Sequence, residues 1–122
     1  MMKPRLFMLP LLLLLACGEP PAGNGVLHLG WTFVDGRRCA DSGVERVVLT
    51  PPGELTLLLE ADCPVGFGTT DLRLGLTKGK HELELTGLSA AETPLYRGSL
   101  HVNMHPNIAV DRLVDLRFTG GL

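Results

Sequence analysis

The side chains of this chain that could do chemistry are chiefly three cysteines and four histidines. A thiol can be acylated, can oxidise to a disulfide or can bind a soft metal ion, and imidazole is both a metal ligand and an acid–base group. The cysteines are Cys17, Cys39 and Cys63, and the histidines are His28, His81, His101 and His105. An odd number of cysteines leaves one thiol over after pairing, so one of the three is expected to have a separate role.

The first sixteen residues have the pattern of a secretory leader. Lys3 and Arg5 supply positive charge, and an apolar run interrupted only by Pro10 follows at 6–15. About ten apolar residues match the central region of a signal peptide and are too few to cross a hydrocarbon core, which requires roughly 20. We therefore expect residues 1–16 to be a cleaved signal peptide, helical where it is structured.

The leader runs into Leu14-Leu15-Ala16-Cys17, which resembles the lipobox of bacterial lipoprotein precursors. The resemblance implies that the thiol of Cys17 is acylated and that the leader is cut away before this residue. It also implies a membrane-anchored protein of the cell envelope, and Gly18 rather than Asp after the lipidated cysteine favours the outer membrane. Residues 17–25 are rich in Pro and Gly and are interpreted as the lipidated cysteine and a flexible tether.

Acylation of Cys17 leaves Cys39 and Cys63 as the remaining thiols. Two thiols in an oxidising compartment permit a single pairing, and closing a loop of about 25 residues would stabilise the fold by roughly 3 kcal/mol. The alternatives are a metal pair or a reactive thiol, but the sequence has neither CxxC spacing nor a nearby histidine motif. The favoured prediction is a Cys39–Cys63 disulfide.

The histidines could form a metal site only if strands bring them together. His101 and His105 fall on one face of a predicted strand, and His28 points outward from another. Residues four apart along a strand are separated by about 13 Å, so His101 and His105 cannot share one ion without a ligand from a neighbouring strand. Solvated surface histidines are the favoured interpretation, and a metal site using His28, His101 and His105 is the alternative.

The sequence contains no recognisable catalytic constellation. The serines Ser42, Ser89 and Ser99 do not lie in a GxSxG motif, and there is no HExxH motif. Without Lys3 and Arg5 the chain has nine basic residues against thirteen acidic ones, and it has no basic patch. We therefore expect a protein that is not an enzyme, needs no cofactor and does not bind nucleic acid.

Beyond the tether, apolar and polar residues alternate with the two-residue period of half-buried strands. Leu27, Leu29, Trp31 and Phe33 share one inward phase, as do Leu55 and Leu57 in a later segment, and Phe118 ends the inward phase of the last segment. Turn-forming residues separate seven such segments, at 26–33, 44–50, 55–61, 72–76, 81–85, 96–104 and 108–118. Because each strand has one apolar face, a second sheet must cover it. The sequence predicts an all-β fold, an antiparallel β-sandwich of about seven strands that forms one domain over 26–122.

Two of these segments also resemble a known domain type. The sequence TKGKHELEL at 77–85 resembles the turn and strand of carboxypeptidase-regulatory-like and related immunoglobulin-like sandwiches, and LYRG at 95–98 is similar to the strand that follows. The resemblance implies a sandwich that acts as a tether, spacer or binding module without catalysis. In immunoglobulin-type sandwiches a core tryptophan packs against the disulfide, so Trp31 is expected to lie beside the Cys39–Cys63 bridge.

These observations predict a membrane-anchored envelope lipoprotein whose β-sandwich is a non-catalytic interaction or structural module. Its expected partners are the membrane, through the lipid on Cys17, and an envelope protein that the sequence does not identify. The alternative is an envelope lipoprotein that binds a small ligand or a metal ion through the surface histidines.

Overall fold

The computed structural model describes residues 24–120. The predicted leader, the lipobox with Cys17 and residues 18–23 of the predicted tether lie outside the described residues. Two single helical turns, Cys39–Ser42 and Cys63–Gly66, lie among seven strands. The strands are β1 (Asn24–Phe33), β2 (Arg46–Thr50), β3 (Leu59–Asp62), β4 (Leu72–Thr77), β5 (Gly79–Leu88), β6 (Pro94–Met104) and β7 (Ala109–Phe118). The predicted all-β class is confirmed. Neither helical turn between residues 24 and 120 is long enough to cross a membrane.

All seven strands belong to one mixed sheet, whose order is β3-β2-β5-β6-β7-β1-β4. Neighbouring strands are antiparallel except β1 and β7, which run parallel from the pair Val26↔Ala109 to the pair Phe33↔Leu116. A purely antiparallel arrangement was therefore the wrong expectation, because alternation shows which face of a strand is buried and not which strand lies beside it. The sheet curls until its two edge strands, β3 and β4, nearly close it.

The shortest strand pairing in the sheet is the one between β6 and β7. These strands form a hairpin, but they are paired at only two positions, at the end away from the turn. Elsewhere β7 turns away to lie beside β1, which separates the group β3-β2-β5-β6 from the group β7-β1-β4. Gly98 lies at this branch, where a Cβ atom would come within 2.7 Å of the carbonyl oxygen of Asp115 and 2.8 Å of the Val114 side chain. Only glycine lets the two groups approach so closely.

The hydrophobic core is formed by residues from both groups of strands. Leu27, Leu29, Trp31 and Phe33 are each at most 4% exposed, which confirms the predicted inward phase of β1. The other strands add alternate residues, and the core cluster is completed by Val44, Val47, Leu49, Cys63, Leu76, Leu83, Leu85, Tyr96, Leu100, Val102, Met104, Val114 and Leu116. Since each buried large apolar side chain contributes about 1.5–3 kcal/mol, this cluster supplies the main stabilisation of the fold.

Three residues that were predicted to face inward are exposed. The exposed fraction is 98% for Leu55, 50% for Leu57 and 62% for Phe118, so the prediction was wrong at these positions. Leu55 and Leu57 follow a turn at 51–53 and lie outside β3, in a segment that forms no strand. Phe118 is the last residue of β7, and its ring only meets the edge of the Tyr96 ring, with centroids 5.4 Å apart.

The single tryptophan ties β1 to the segment that follows β3. The Trp31 indole Nε1 donates a hydrogen bond to the carbonyl oxygen of Cys63 at 3.1 Å, and the Gly68 N–H donates to the carbonyl oxygen of Trp31 at 2.8 Å. The indole lies against Gly66, where a Cβ atom would come within 2.6 Å of the ring. Trp31 therefore lies beside the disulfide segment as expected, and glycine is required beneath its ring.

Cys39 and Cys63 form a disulfide, which confirms the predicted pairing. Their Cα atoms are 5.8 Å apart, within the range of native disulfides. Each cysteine is the first residue of a helical turn, and the loop between them, with a sequence separation of 24, contains β2 and β3. The bridge therefore holds the helical turn after β1 to the segment beneath Trp31, which follows the edge strand β3.

We predict that the double variant Cys39→Ala/Cys63→Ala has a free energy of unfolding about 3 kcal/mol lower than that of the wild type. The reason is that the unfolded chain regains the conformational entropy of an open loop. Urea unfolding, followed by the fluorescence of Trp31, measures the difference. Reduction of the wild-type protein should produce a decrease of similar size. A wild type whose midpoint does not change on reduction would contradict the prediction.

Candidate functional site

A groove of about 700 Å³ lies on the outward face of β2, β5 and β6. We call it the outer groove, and it is lined by Arg46, Val48, Thr50, Gly53, Glu54, Leu55, Leu57, Glu84, Thr86, Leu88, Glu92, Pro94 and Arg97. On β2 and β5 the lining residues alternate with core residues such as Leu49 and Leu85. The strand period of two therefore places the outer groove on the opposite side of the sheet from the core.

The floor of the outer groove is shielded from water although it faces away from the core. Val48, Thr50 and Thr86 are each only 8% exposed. Val48 and Thr86 are directly opposite each other in the β2–β5 register, so their β-branched side chains contact across the strands. The floor therefore offers a small, dry surface to an apolar group.

One wall of the outer groove is formed by the segment that joins β2 to β3. The segment begins with a turn in which the Glu54 N–H donates to the carbonyl oxygen of Pro51 at 3.1 Å, and Gly53 supplies the positive φ of 73°. It rejoins the sheet where the Leu58 N–H donates to the carbonyl oxygen of Leu49 at 2.8 Å. Between these two hydrogen bonds lies Leu55, which is 98% exposed. A large apolar side chain is thus held beside the groove by backbone contacts and not by packing.

The rim of the outer groove carries a cluster of charges around Arg46. Its guanidinium forms ion pairs with Glu60 of β3 and with Glu92, which lies in the loop between β5 and β6. That loop is held by Ser89, whose hydroxyl oxygen accepts hydrogen bonds from the backbone N–H groups of Ala91 and Thr93. Arg46 thereby fastens the loop to the sheet and fixes the shape of one end of the groove.

The outer groove combines a buried floor of β-branched side chains, exposed leucines and a charged rim, which is the composition of a protein-docking surface. It contains no cysteine, histidine or serine, and of its carboxylates Glu54, Glu84 and Glu92, Arg46 engages Glu92. Sequence reasoning missed this site because alternation continues unbroken through Leu55 and Leu57, as it would in a strand. The one sequence signal was the Pro-Pro-Gly turn before them.

The candidate metal ligands His28, His101 and His105 do not form a cluster in the structure. His28 Nδ1 lies 3.2 Å from a carboxylate oxygen of Asp111, and His101 Nε2 lies 3.6 Å from a carboxylate oxygen of Glu82. His105 is exposed in the turn between β6 and β7. Between residues 24 and 120, no group of three or more His, Cys, Asp or Glu side chains is placed to hold a metal ion. The metal-binding alternative gains no geometric support from these positions.

The two residues with shifted pKa values, Asp35 and Tyr96, are joined by a hydrogen bond just beyond the end of β1. Neither residue lines the outer groove. The Tyr96 hydroxyl donates to a carboxylate oxygen of Asp35 at 2.7 Å. Burial raises the pKa of Tyr96, and the hydrogen bond to Asp35 raises it further. The hydrogen bond from Tyr96 lowers the pKa of Asp35, and Arg37 adds to this effect. Tyr96 is 1% exposed and packs against Phe33 with ring centroids 4.6 Å apart, so the pair has a structural role.

Known proteins offer no relative that would identify the site: no family model, curated protein or solved structure matches this chain. The functional interpretation therefore depends on the residues and on their geometry.

We predict that Tyr96→Phe lowers stability and changes its pH dependence at both extremes. The lowered pKa of Asp35 contributes stability that is present above about pH 4 and is lost as the pH falls through the folded-state pKa. The raised pKa of Tyr96 contributes stability that is present below about pH 10 and is lost as the pH rises through the folded-state pKa. Unfolding midpoints measured across pH should depend less on pH in the variant at both ends. Parallel wild-type and variant curves would contradict this assignment.

Proposed function

We propose that this chain is a lipid-anchored protein of the bacterial cell envelope whose β domain is a non-catalytic interaction module. The observation that carries the binding role is the outer groove with two exposed leucines, Leu55 and Leu57, in its wall, since contiguous exposed apolar surface marks interaction sites. The observation that carries the anchor is the sequence Leu14-Leu15-Ala16-Cys17 after a short apolar run.

The proposed anchor would hold the domain close to the bilayer. Each buried CH₂ of an acyl chain contributes about 0.8 kcal/mol, and two or more chains give stable attachment. Six residues separate Cys17 from Asn24, the first residue of β1, and six residues span at most about 20 Å. A partner of the outer groove would therefore be another envelope protein, and Gly18 favours the outer membrane as the location.

We further propose that the domain is a sandwich of the immunoglobulin-like type. Support comes from the two groups of strands, β3-β2-β5-β6 and β7-β1-β4, which share a core but are paired across β6 and β7 at only two positions. The parallel pairing of β1 with β7 is a departure from a purely antiparallel sandwich.

We predict that wild-type protein fractionates with membranes and that Cys17→Ser is released or retained with its leader uncut, because serine cannot form the thioether to the lipid. Fractionation of cells together with mass spectrometry of the mature N-terminus measures both outcomes. Cys39→Ser/Cys63→Ser is the matched control, since it removes two other thiols and should leave the anchor in place. Unacylated wild-type protein, or an identical distribution of Cys17→Ser, would refute the anchor.

We predict that a photo-crosslinking residue at Leu55 captures a specific envelope protein in intact cells, and that Leu57→Asp reduces this capture by placing charge on the apolar wall. The same probe at Ile108, which is 51% exposed in the turn before β7, is the matched control. The expected result is a discrete crosslinked band at position 55 and none at position 108. Equal capture at both positions, or capture unaffected by Leu57→Asp, would contradict a binding role for the outer groove.

A further inference from the structure

Two arginines face each other where β6 and β7 are paired. Arg97 and Arg117 are direct partners in the antiparallel register, and both side chains are exposed. Directly opposite residues in such a ladder have Cβ atoms about 4.5–5.5 Å apart, and like charges at this spacing are destabilising. One of the two residue pairs in the β6–β7 ladder is thus repulsive.

No carboxylate relieves this repulsion among the described residues. The ion pairs between residues 24 and 120 involve Arg37, Arg46, His28 and His101, and neither Arg97 nor Arg117 lies within 4 Å of an acidic oxygen. Asp115 is two residues from Arg117, but its carboxylate accepts a hydrogen bond from the Thr32 hydroxyl on the other side, at 2.7 Å.

Arg97 and Arg117 both line a cleft of about 490 Å³ between β6 and β7, which we call the β6–β7 cleft. Ser99 and His101 line it from β6, and Leu113 and Asp115 line it from β7. The Ser99 hydroxyl is exposed on the same face as Arg97, two residues along the strand. The cleft therefore presents two planar cationic donors and a hydroxyl, together with the Asp115 carboxylate that is bonded to Thr32.

We propose that the Arg97–Arg117 pair is a binding site for a phosphate group. Each guanidinium presents a fork of N–H donors that matches two oxygens of an anion. Two bidentate forks are matched best by an anion with three or more terminal oxygens, which free phosphate and phosphomonoesters have and a carboxylate does not. The bound anion would also replace the repulsion between the arginines with two charge-assisted contacts. The phosphate could be a free ion or part of a monoester, such as a lipid headgroup that ends in a phosphate.

The test measures the unfolding temperature of the purified full chain in inorganic phosphate and in chloride at equal ionic strength. We expect phosphate to stabilise the wild type and to stabilise Arg117→Gln and Arg97→Gln much less, with apparent affinity weakened about tenfold, as the loss of about 1.4 kcal/mol would produce. In chloride, Arg117→Gln should be at least as stable as the wild type because the repulsion is gone. This second measurement also shows that the variant is folded.

Arg73→Gln is the matched control, since it removes one positive charge from an exposed strand position that faces His28 and not another arginine. It should keep the wild-type response to phosphate. An equal response to inorganic phosphate and to glycerol 3-phosphate supports a site that recognises the phosphate group alone. A stronger response to glycerol 3-phosphate supports a site whose ligand is a phosphate ester. The proposal is overturned if the wild type responds to neither probe, or if Arg117→Gln responds as strongly as Arg73→Gln.

Discussion

The hydrogen bond from the Trp31 indole to the carbonyl oxygen of Cys63 is the contact around which the rest of the domain is arranged. Both groups are buried, and a buried carbonyl without a donor would cost about 1–3 kcal/mol. The bond therefore fixes the segment after β3 against the C-terminal end of β1, while the disulfide fixes the same segment to Cys39. Gly66 allows this close approach because a side chain there would overlap the indole. One residue of β1 thus determines where an edge of the sheet and both helical turns lie.

The parts of the fold that depend on local pattern could be predicted from the sequence. Alternation identified the buried phase of β1, and counting the cysteines with Cys17 set aside identified the Cys39–Cys63 bridge. Pairing between distant strands could not be predicted in this way. Nothing in the alternation of residues 108–118 distinguishes a strand beside β6 from one that leaves it to run parallel to β1.

The outer groove could not be predicted from the sequence for a related physical reason. Leu55 and Leu57 fit a strand pattern, but a pattern of two apolar residues does not by itself supply hydrogen-bond partners, and the chain rejoins β2 only at Leu58. The role of Arg46 could not be predicted either, because its partners Glu60 and Glu92 are distant from it in the sequence. The β2–β3 pairing brings Glu60 to Arg46, and the loop before β6 brings Glu92. Sites formed between such segments require the tertiary arrangement.

The parallel pairing of β1 with β7 also sets the timing of folding. Thr32 of β1 and Asp115 of β7 are joined by a hydrogen bond across 83 positions in the chain. During folding, β1 can pair with β4 before β7 is in place, but its other edge stays open until β7 has joined it. A partly folded chain therefore presents an unpaired strand edge to its surroundings, the condition that favours aggregation and recruits chaperones. The disulfide cannot close that edge early, because both cysteines lie between β1 and β4. Completion of the domain awaits its last described strand.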